Sequence, residues 1–147
     1  MSSDFTEEQQ SRNYYRLWLQ DEVRFSDLDA LGHVSSVRMH EFLATARTML
    51  FVKAIPDYPH AAIIPILKKQ LAVHQHEINY PASLDIGLTI ERMGNSSVTF
   101  CLGIFQGTQC AVLARNVFVF SDRQARRSHA PPQQVVENFM TLAGRIL

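Results

Sequence analysis

Two acidic side chains lie close together in the run Ser26-Asp27-Leu28-Asp29, between a predicted strand and a predicted helix. Short polar side chains of this kind bond nearby backbone groups and favour turns. Gly32 gives the chain freedom for a tight bend or a close backbone approach, and Ser35 and Ser36 suit the N-cap of the helix. The pattern places carboxylates beside the positive end of a helix. There, a carboxylate can act on a carbonyl group that the helix N–H donors hold.

These residues resemble a known family signature. The run Asp-Leu-Asp-Ala-Leu-Gly-His-Val at residues 27–34, with Ala46-Arg47 in the helix, resembles the acidic loop of hotdog-fold acyl-CoA thioesterases of the 4-hydroxybenzoyl-CoA thioesterase type. Tyr80-Pro81, then Asp85, and the run Met93-Gly94-Asn95-Ser96-Ser97 fall where that family places its next strands. The resemblance extends from Leu17 to Val136, and its specificity lies in the order and spacing of the motifs.

The resemblance implies a role for each residue of the loop. Asp29 matches the family's catalytic carboxylate, which attacks the thioester carbonyl as a nucleophile or activates a water as a general base. The backbone N–H of Ser36 would stabilise the oxyanion, and Gly32 would let the chain approach the substrate. His33 would orient Asp29 or line the pocket, and Asp27 would hold the loop by bonding backbone. In the competing interpretation, both acids are only turn and capping residues.

Further residues are expected to contact the substrate. Ser96 and Ser97 fall in the turn near which the family's pantetheine arm passes, although they also suit a simple turn before a strand. A basic cluster after the last strand is expected to meet the phosphates of coenzyme A, unless it is only a solvated edge. Its members are Arg123, Arg126 and Arg127, with Lys68 and Lys69 as weaker candidates.

The helix departs from the family pattern at several positions. Ser35 and Ser36 replace the usual Asn-Asn, Met39 stands where tyrosine is usual, and Ala44 stands where glutamate is common. Ala44 cannot polarise a water as that second acid does in some relatives. We expect Ser35, Met39 and Phe42 to contact the substrate, although methionine and aromatic residues at helical spacing also suit a core.

A metal or cofactor is not expected. His74 and His76 form an H-x-H pair that could supply two metal ligands from one strand face, but no third ligand stands at a matching spacing. The alternative is that they are exposed or pocket-lining polar histidines. The family implied by the resemblance needs no metal, and coenzyme A enters only as part of the substrate.

The composition is that of an ordinary globular chain. Of 147 residues, 46% are hydrophobic and 19% charged, and 14 basic residues balance 14 acidic ones. This neutral balance gives no overall signature of nucleic-acid binding or of an anionic membrane surface. No apolar run approaches the roughly 20 residues that span a bilayer, and the N-terminus does not read as a secretory signal. Cys101 and Cys110 are expected to be reduced thiols in a cytoplasmic protein.

The hydrophobic periodicity predicts a strand, a long helix, a series of strands and a short helix. Residues 1–13 are expected to form a flexible tail or a loose helix, and residues 14–147 one domain. Pro65 is expected to mark a strand edge or a bulge. The predicted elements are a strand over 15–25 with Phe25 on its apolar face, a helix over 36–53, strands over 63–79, 84–93, 98–104 and 111–120, a departure from the sheet over 122–127, and a helix after Pro131-Pro132 that includes Ile146.

The resemblance turns this α+β pattern into a hotdog fold, with an antiparallel sheet wrapped around the helix over 36–53. It implies a homodimer or a dimer of dimers, with active sites between protomers. The expected activity is hydrolysis of an acyl-CoA or acyl-carrier-protein thioester. The alternative is a module that binds such thioesters without cleaving them. A weaker third hypothesis is a dehydratase, whose facing histidine and acid are not evident in this sequence.

Overall fold

The computed structural model describes residues 4–145 and contains one antiparallel sheet with a long helix against one face. The strands occur in the order β1-β3-β4-β5-β2, and β6 pairs with β5. This confirms the predicted α+β architecture, with a curled sheet, a long helix and a short C-terminal helix. The elements are β1 (Leu17–Glu22), α1 (Ser36–Ala54), β2 (Ile63–His74), β3 (Ser83–Met93), β4 (Ser97–Gln106), β5 (Gln109–Asp122), β6 (Arg127–Ser128) and α2 (Gln133–Ala143).

Helix α1 follows the prediction to within one residue. The Ser35 side chain accepts the N–H of Arg38 at 3.2 Å, as an N-cap does. The helix ends at Ala54, two residues before Pro56, which cannot continue the backbone ladder. The side that faces the sheet is buried and apolar and includes Met39, Phe42, Leu43, Ala46, Leu50 and Phe51. These side chains and the inward-facing residues of β3, β4 and β5 form the main core.

Strand β2 lies at an edge of the sheet, as the sequence predicted from Pro65. Proline lacks a backbone N–H, and at this edge its absence breaks no hydrogen bond between strands. The bulge lies between Leu67 and Lys69 rather than at Pro65. The strand was expected to continue to Asn79, but it ends at His74. Beyond it, the N–H groups of Gln75 and His76 both point to the Ala111 carbonyl, so regular pairing stops there.

The first strand is shorter than expected, and the assignment of Phe25 to it is wrong. The Arg24 N–H donates to Asp27 Oδ2 at 2.8 Å, which turns the chain into a short 3₁₀ helix over Phe25–Asp27. Phe25 is consequently 74% exposed and packs edge-on against Tyr80 instead of entering the core.

The segment after β5 leaves the sheet only briefly. A turn closed by the Asp122 carboxylate returns the chain to strand β6, so Arg127 pairs with Asp122 instead of leaving the sheet. Helix α2 then begins directly after Pro132 and buries Val135, Phe139 and Ala143. Ile146, which the sequence placed on the same side of this helix, lies outside the described residues.

Residues 4–13 lie in the part of the chain expected to be a flexible tail or a loose helix. They form 3₁₀ helices over Glu7–Gln10 and Arg12–Tyr14, and Phe5 is buried against the outer face of the sheet. The ring of Tyr15 occupies a slot between two directly paired glycines, Gly87 and Gly103, where an added Cβ would approach the ring within 3.0 Å. Isolated aromatic residues separated by polar ones carry no periodicity, which is why sequence patterns miss this packing.

Candidate active site

The acidic loop is held in shape by its own backbone. Leu28 and Val34 form an isolated antiparallel bridge across its base. Inside it, the Asp29 N–H donates to the His33 carbonyl at 2.8 Å, and the Gly32 N–H donates to the Asp29 carbonyl at 3.1 Å. Gly32 has a φ of +81°, a conformation that favours glycine. The tight turn therefore fixes the position of the Asp29 backbone.

The Asp29 side chain has one anchored oxygen and one free oxygen. Oδ1 accepts the N–H groups of Leu31 at 2.9 Å and His33 at 3.2 Å. For Oδ2, residues 4–145 provide no hydrogen-bond donor. In the single chain the residue is exposed to solvent. The carboxylate is thus oriented by the turn and keeps one oxygen for another molecule.

Asp27 is placed differently, because its side chain is buried within the loop. Oδ2 accepts the Arg24 N–H at 2.8 Å, and Oδ1 lies 3.8 Å from Arg38 Nε. Its backbone carbonyl accepts the Ser35 N–H at 2.9 Å, which ties the loop to the start of the helix. With its contacts directed to backbone and to Arg38, this carboxylate suits the support of the loop that the sequence predicted.

The first turn of α1 offers free backbone donors. The Ser35 hydroxyl and carbonyl accept the N–H groups of Arg38 and Met39. The N–H groups of Ser36 and Val37 precede the first intrahelical bond and have no acceptor in the described part of the chain. The Ser36 N–H is the donor that the family resemblance assigned to an oxyanion.

A cavity of about 290 Å³ joins the loop to this helix start. Four predicted site residues line it together, namely Asp29, His33, Ser36 and Met39. The other lining residues are Val34 and the segment His74, Gln75, His76, Glu77 and Ile78. The structure therefore brings the candidate carboxylate and the candidate oxyanion donor to one concave surface.

The segment over residues 74–78 is a part of the site that the sequence did not predict. His33 Nε2 lies 3.2 Å from Glu77 Oε2, so the ring contacts Glu77, and only the backbone of His33 contacts Asp29. The Ile78 carbonyl accepts the Val34 N–H at 2.9 Å and holds the segment against the loop. The sequence singled out His74 and His76 of this segment, as a metal half-site or as exposed or pocket-lining histidines, but did not place them beside Asp29.

His74 and His76 share the cavity but not a strand face, because β2 ends at His74. In residues 4–145, no three His, Cys, Asp or Glu side chains are grouped as metal ligands. Burial and the neighbouring His40 lower the pKa of His74, which favours its neutral form.

Other predicted substrate contacts lie elsewhere. Phe42 is buried in the core, and Ser35 uses its hydroxyl as the helix cap. Ser97 pairs with Val119, which in turn pairs with Ile66 of β2, so the serine turn lies at the opposite end of the sheet. The structure does not bring these residues to the Asp29 cavity within one chain.

The predicted basic cluster lines a second cavity of about 320 Å³ at that opposite end. Arg123 and Arg126 are there with Lys68, while Arg127 lies on β6 and is absent from its lining. Asp122 also lines it, and the N–H groups of Ala125 and Gln124 lower the pKa of its carboxyl. At about 3.3 Å per strand residue, Ile66 and His74 are roughly 25 Å apart, so the two cavities are separate in one protomer.

Helix α1 also has an exposed side. Val37 and Val52 are 65% and 60% exposed, unusually high values for valines on a central helix. Along the C-terminal part of the helix runs a groove of about 450 Å³, lined by Ala44, Thr45, Thr48, Met49, Val52 and Lys53. Ala44, the position of the missing second acid, therefore faces this groove and not the Asp29 cavity.

Among the described helices, none combines the length and apolar character needed to cross a membrane.

Comparison with known proteins agrees with this architecture. A family model described as the thioesterase-like superfamily matches residues 23–139. The chain is similar to the PA5185 protein of Pseudomonas aeruginosa, with 25% identity, 93% of this chain and 98% of that chain covered, and a TM-score of 0.85. A search of curated protein sequences finds no match.

Two further similar structures contain coenzyme A. A thioesterase from Thermus thermophilus, complexed with coenzyme A and Zn, is 22% identical, with 90% of this chain and 98% of that chain covered and a TM-score of 0.80. Protein SAV2348 from Staphylococcus aureus, in complex with CoA, is 11% identical, with 91% and 89% covered and a TM-score of 0.80. At these identities the likeness establishes the fold, whereas the family match establishes membership. The chain belongs to the thioesterase-like superfamily.

Proposed function

We propose that this protein hydrolyses acyl thioesters of coenzyme A or of an acyl carrier protein, with Asp29 as the catalytic carboxylate. The observation that carries the proposal is that Asp29 and the free Ser36 N–H line the same cavity. A base or nucleophile and an oxyanion donor are the two groups that acyl transfer requires. The narrower 4-hydroxybenzoyl-CoA type remains a prediction.

The reaction consumes one water. As a general base, Asp29 takes a proton from that water while the water oxygen bonds to the thioester carbon. The Ser36 N–H stabilises the oxyanion that forms. The C–S bond then breaks, and the sulfur receives the proton from Asp29. As a nucleophile, Asp29 would instead form a mixed anhydride, which water hydrolyses. Both routes give one carboxylic acid and one thiol.

The complete site is proposed to form between two copies of the chain. The Asp29 cavity and the Arg123 cavity lie at opposite ends of the edge strand β2. A two-fold axis through the middle of β2 would place the Arg123 cavity of one copy beside the Asp29 cavity of the other. The basic cavity would then hold the phosphates of coenzyme A, a ligand present in two similar structures.

The catalytic assignment is tested by measuring release of free thiol from a panel of acyl-CoA thioesters. Asp29→Asn should lower kcat/KM by a factor of about 10² to 10⁴. The matched control is Asp57→Asn, an exposed aspartate with a φ of +64°, which asparagine tolerates. Asp27→Asn should retain turnover if its role is only to support the loop. Full activity in Asp29→Asn would refute the assignment.

Mixing experiments test the shared site. Asp29→Asn and Arg123→Glu homodimers should each be weakly active, and exchanged subunits should recover about a quarter of wild-type turnover. Half of the dimers would then be mixed, and each would contain one intact site. If turnover does not recover after verified subunit exchange, the two cavities do not form one shared site.

The non-catalytic binding module remains the second candidate. The two N–H bonds to Asp29 Oδ1 are also what a purely structural turn aspartate makes. Ala44 supplies no second acid. Tight binding of acyl-CoA without thiol release would favour the module.

A further inference from the structure

Four arginines of this chain lie over aromatic rings, and one of them differs from the others. Three of them also pair with a carboxylate. Arg12 lies over Trp18 and 3.0 Å from Asp85. Arg115 lies over Phe5 and 3.2 Å from Glu91, and Arg145 lies over Tyr14 and 3.1 Å from Glu8. Arg47 lies 5.3 Å from the centre of the Phe118 ring. In the described part of the chain it has no carboxylate partner.

Arg47 is held by neutral amides instead. Its Nη1 donates to Asn116 Oδ1 at 2.8 Å and to Gln70 Oε1 at 3.1 Å. A guanidinium can only donate, so both amides must turn their oxygens towards it. Gln70 Nε2 then faces His40 Nδ1 at 2.9 Å, and this places the proton of a neutral His40 ring on Nε2. His40 in turn packs edge-on against His74, a residue of the Asp29 cavity, at 6.1 Å between ring centres.

This arrangement leaves several donors without acceptors. Nε and Nη2 of Arg47 have no acceptor within residues 4–145 and are open to solvent. Asn116 is fully buried, and its Nδ2 also has no partner. Burial lowers the pKa of Arg47, so the charge is held in a partly desolvated place. A buried donor without a partner and a partly desolvated cation are costly, and departures of this kind are expected at functional or strained sites.

The position of Arg47 relates it to the acyl group. Ser36 and Arg47 lie on one helix that rises about 1.5 Å per residue, so their backbones are roughly 16 Å apart along its axis. Helical side chains point towards the N-terminus, which brings the guanidinium closer to the cavity. His40, Gln70 and His74 lie between the two points, on the side of α1 that meets the free edge of β2. An acyl chain that leaves the thioester in this direction would meet polar donors and then a cation.

We infer that Arg47 binds a carboxylate at the far end of the acyl group, so that the preferred substrates are monothioesters of dicarboxylic acids. This inference rests on the proposed function and specifies its substrate class. A bidentate guanidinium–carboxylate pair would use the donors that are now free.

The test compares acyl chains of equal length that differ only at the far end. Suberyl-CoA and octanoyl-CoA form the central pair, with shorter and longer pairs to locate the best length. In the wild type, kcat/KM for the carboxylate-ended thioester should exceed that for its partner by about tenfold or more. Arg47→Met should bring the ratio near one. Arg92→Met, an exposed arginine on β3, is the matched control and should leave the ratio unchanged.

Gln70→Glu distinguishes binding from a structural role. Gln70 is exposed, so this near-isosteric change should not impair folding, and it places a fixed carboxylate on Arg47. If Arg47 binds substrate, the ratio should fall about tenfold because the cation is already neutralised. A higher Tm with an unchanged ratio would overturn the inference. So would a wild-type ratio at or below one.

Two further measurements separate this inference from its alternatives. Calorimetry measures the Kd of suberyl-CoA and of octanoyl-CoA for Asp29→Asn and so gives the preference for a terminal carboxylate without turnover. Equal Kd values would overturn the inference even if the protein hydrolyses thioesters. Tighter binding of suberyl-CoA would support the inference even if it does not. Sedimentation of Arg47→Met tests whether a second copy of the chain supplies the carboxylate. Dissociation of this variant to monomers with an unchanged substrate ratio would overturn the assignment to substrate.

Discussion

The outer face of the sheet and the cavity at the end of β2 use polar side chains in opposite ways. On the outer face, Glu91 accepts hydrogen bonds from Gln9, Tyr14 and Arg115. At the cavity, Asp29 Oδ2 and the Ser36 N–H have no partner in the described residues. Side-chain networks in which every polar group has a hydrogen-bond partner make a fold rigid, whereas donors and acceptors without a protein partner can bind a ligand. The contrast predicts that variants of the outer face change stability and that variants of the cavity change activity.

The largest effect on stability is expected from Gly87→Val. A Cβ at this position would lie 2.7 Å from the Tyr15 ring and 2.8 Å from Tyr15 Cβ, and both glycine and ring are packed on the sheet. The free energy of unfolding should fall by about 3 kcal/mol, measured by urea denaturation. The same change in a Tyr15→Ala background should cost less, since the clash with the ring is gone and the clash with Cβ stays. An equal fall in the free energy of unfolding in both backgrounds would show that contact with the Tyr15 ring does not cause the loss of stability.

A smaller loss is expected from Glu91→Gln, which removes the charge that three donors share. The free energy of unfolding should fall by about 2 kcal/mol, with turnover per folded molecule unchanged. Asp29→Asn, the matched substitution in the cavity, should give the reverse result: normal stability and little turnover. Parallel losses in both variants would erase the distinction between the two regions.

The buried thiols of the outer face predict a dependence on pH. Burial raises the pKa of Cys101 from 9.0 to about 12, and that of Cys110 likewise to about 12. The folded state therefore binds more protons than the unfolded state above pH 9, and stability must fall as the pH rises from about 9 towards 12. Each thiol contributes up to about 1.4 kcal/mol per pH unit.

Urea denaturation at pH 8 and pH 10.5 measures this fall, and Cys101→Ala with Cys110→Ala should reduce it. An equal fall in the double variant would assign the effect to the buried tyrosines of the same cluster.

The smallest effect is expected from Ser35→Ala, at the boundary between the two kinds of region. Its hydroxyl caps α1 through the Arg38 N–H, so its loss should lower the free energy of unfolding by about 1 kcal/mol. Because Ser35 supplies no free donor to the cavity, kcat should change less than threefold. Ser36→Ala, which keeps its backbone N–H, serves as the control. A large loss of turnover in Ser35→Ala would instead place its side chain in contact with the substrate.

Helix α1 and the strands from β3 to β5 could be predicted because their apolar spacing is regular and their ends carry caps, turns or prolines. The acidic loop could be predicted because its residues are contiguous. The segment at His74 could not, since it reaches Asp29 through the bond between Val34 and Ile78, which no local pattern encodes. Likewise, Arg47 looks like any helix arginine until its neighbours are known to be amides rather than acids.

The irregular edge of β2 bears on which strands can add to it. A straight, unpaired strand edge invites other strands to add without limit, which is the route to fibres. Here Pro65 and the bulge at Lys68 divide the edge into two short runs, and a lysine occupies the interruption. Closed pairing of two copies can tolerate such a break near its symmetry axis, whereas open-ended growth of a filament cannot propagate across it.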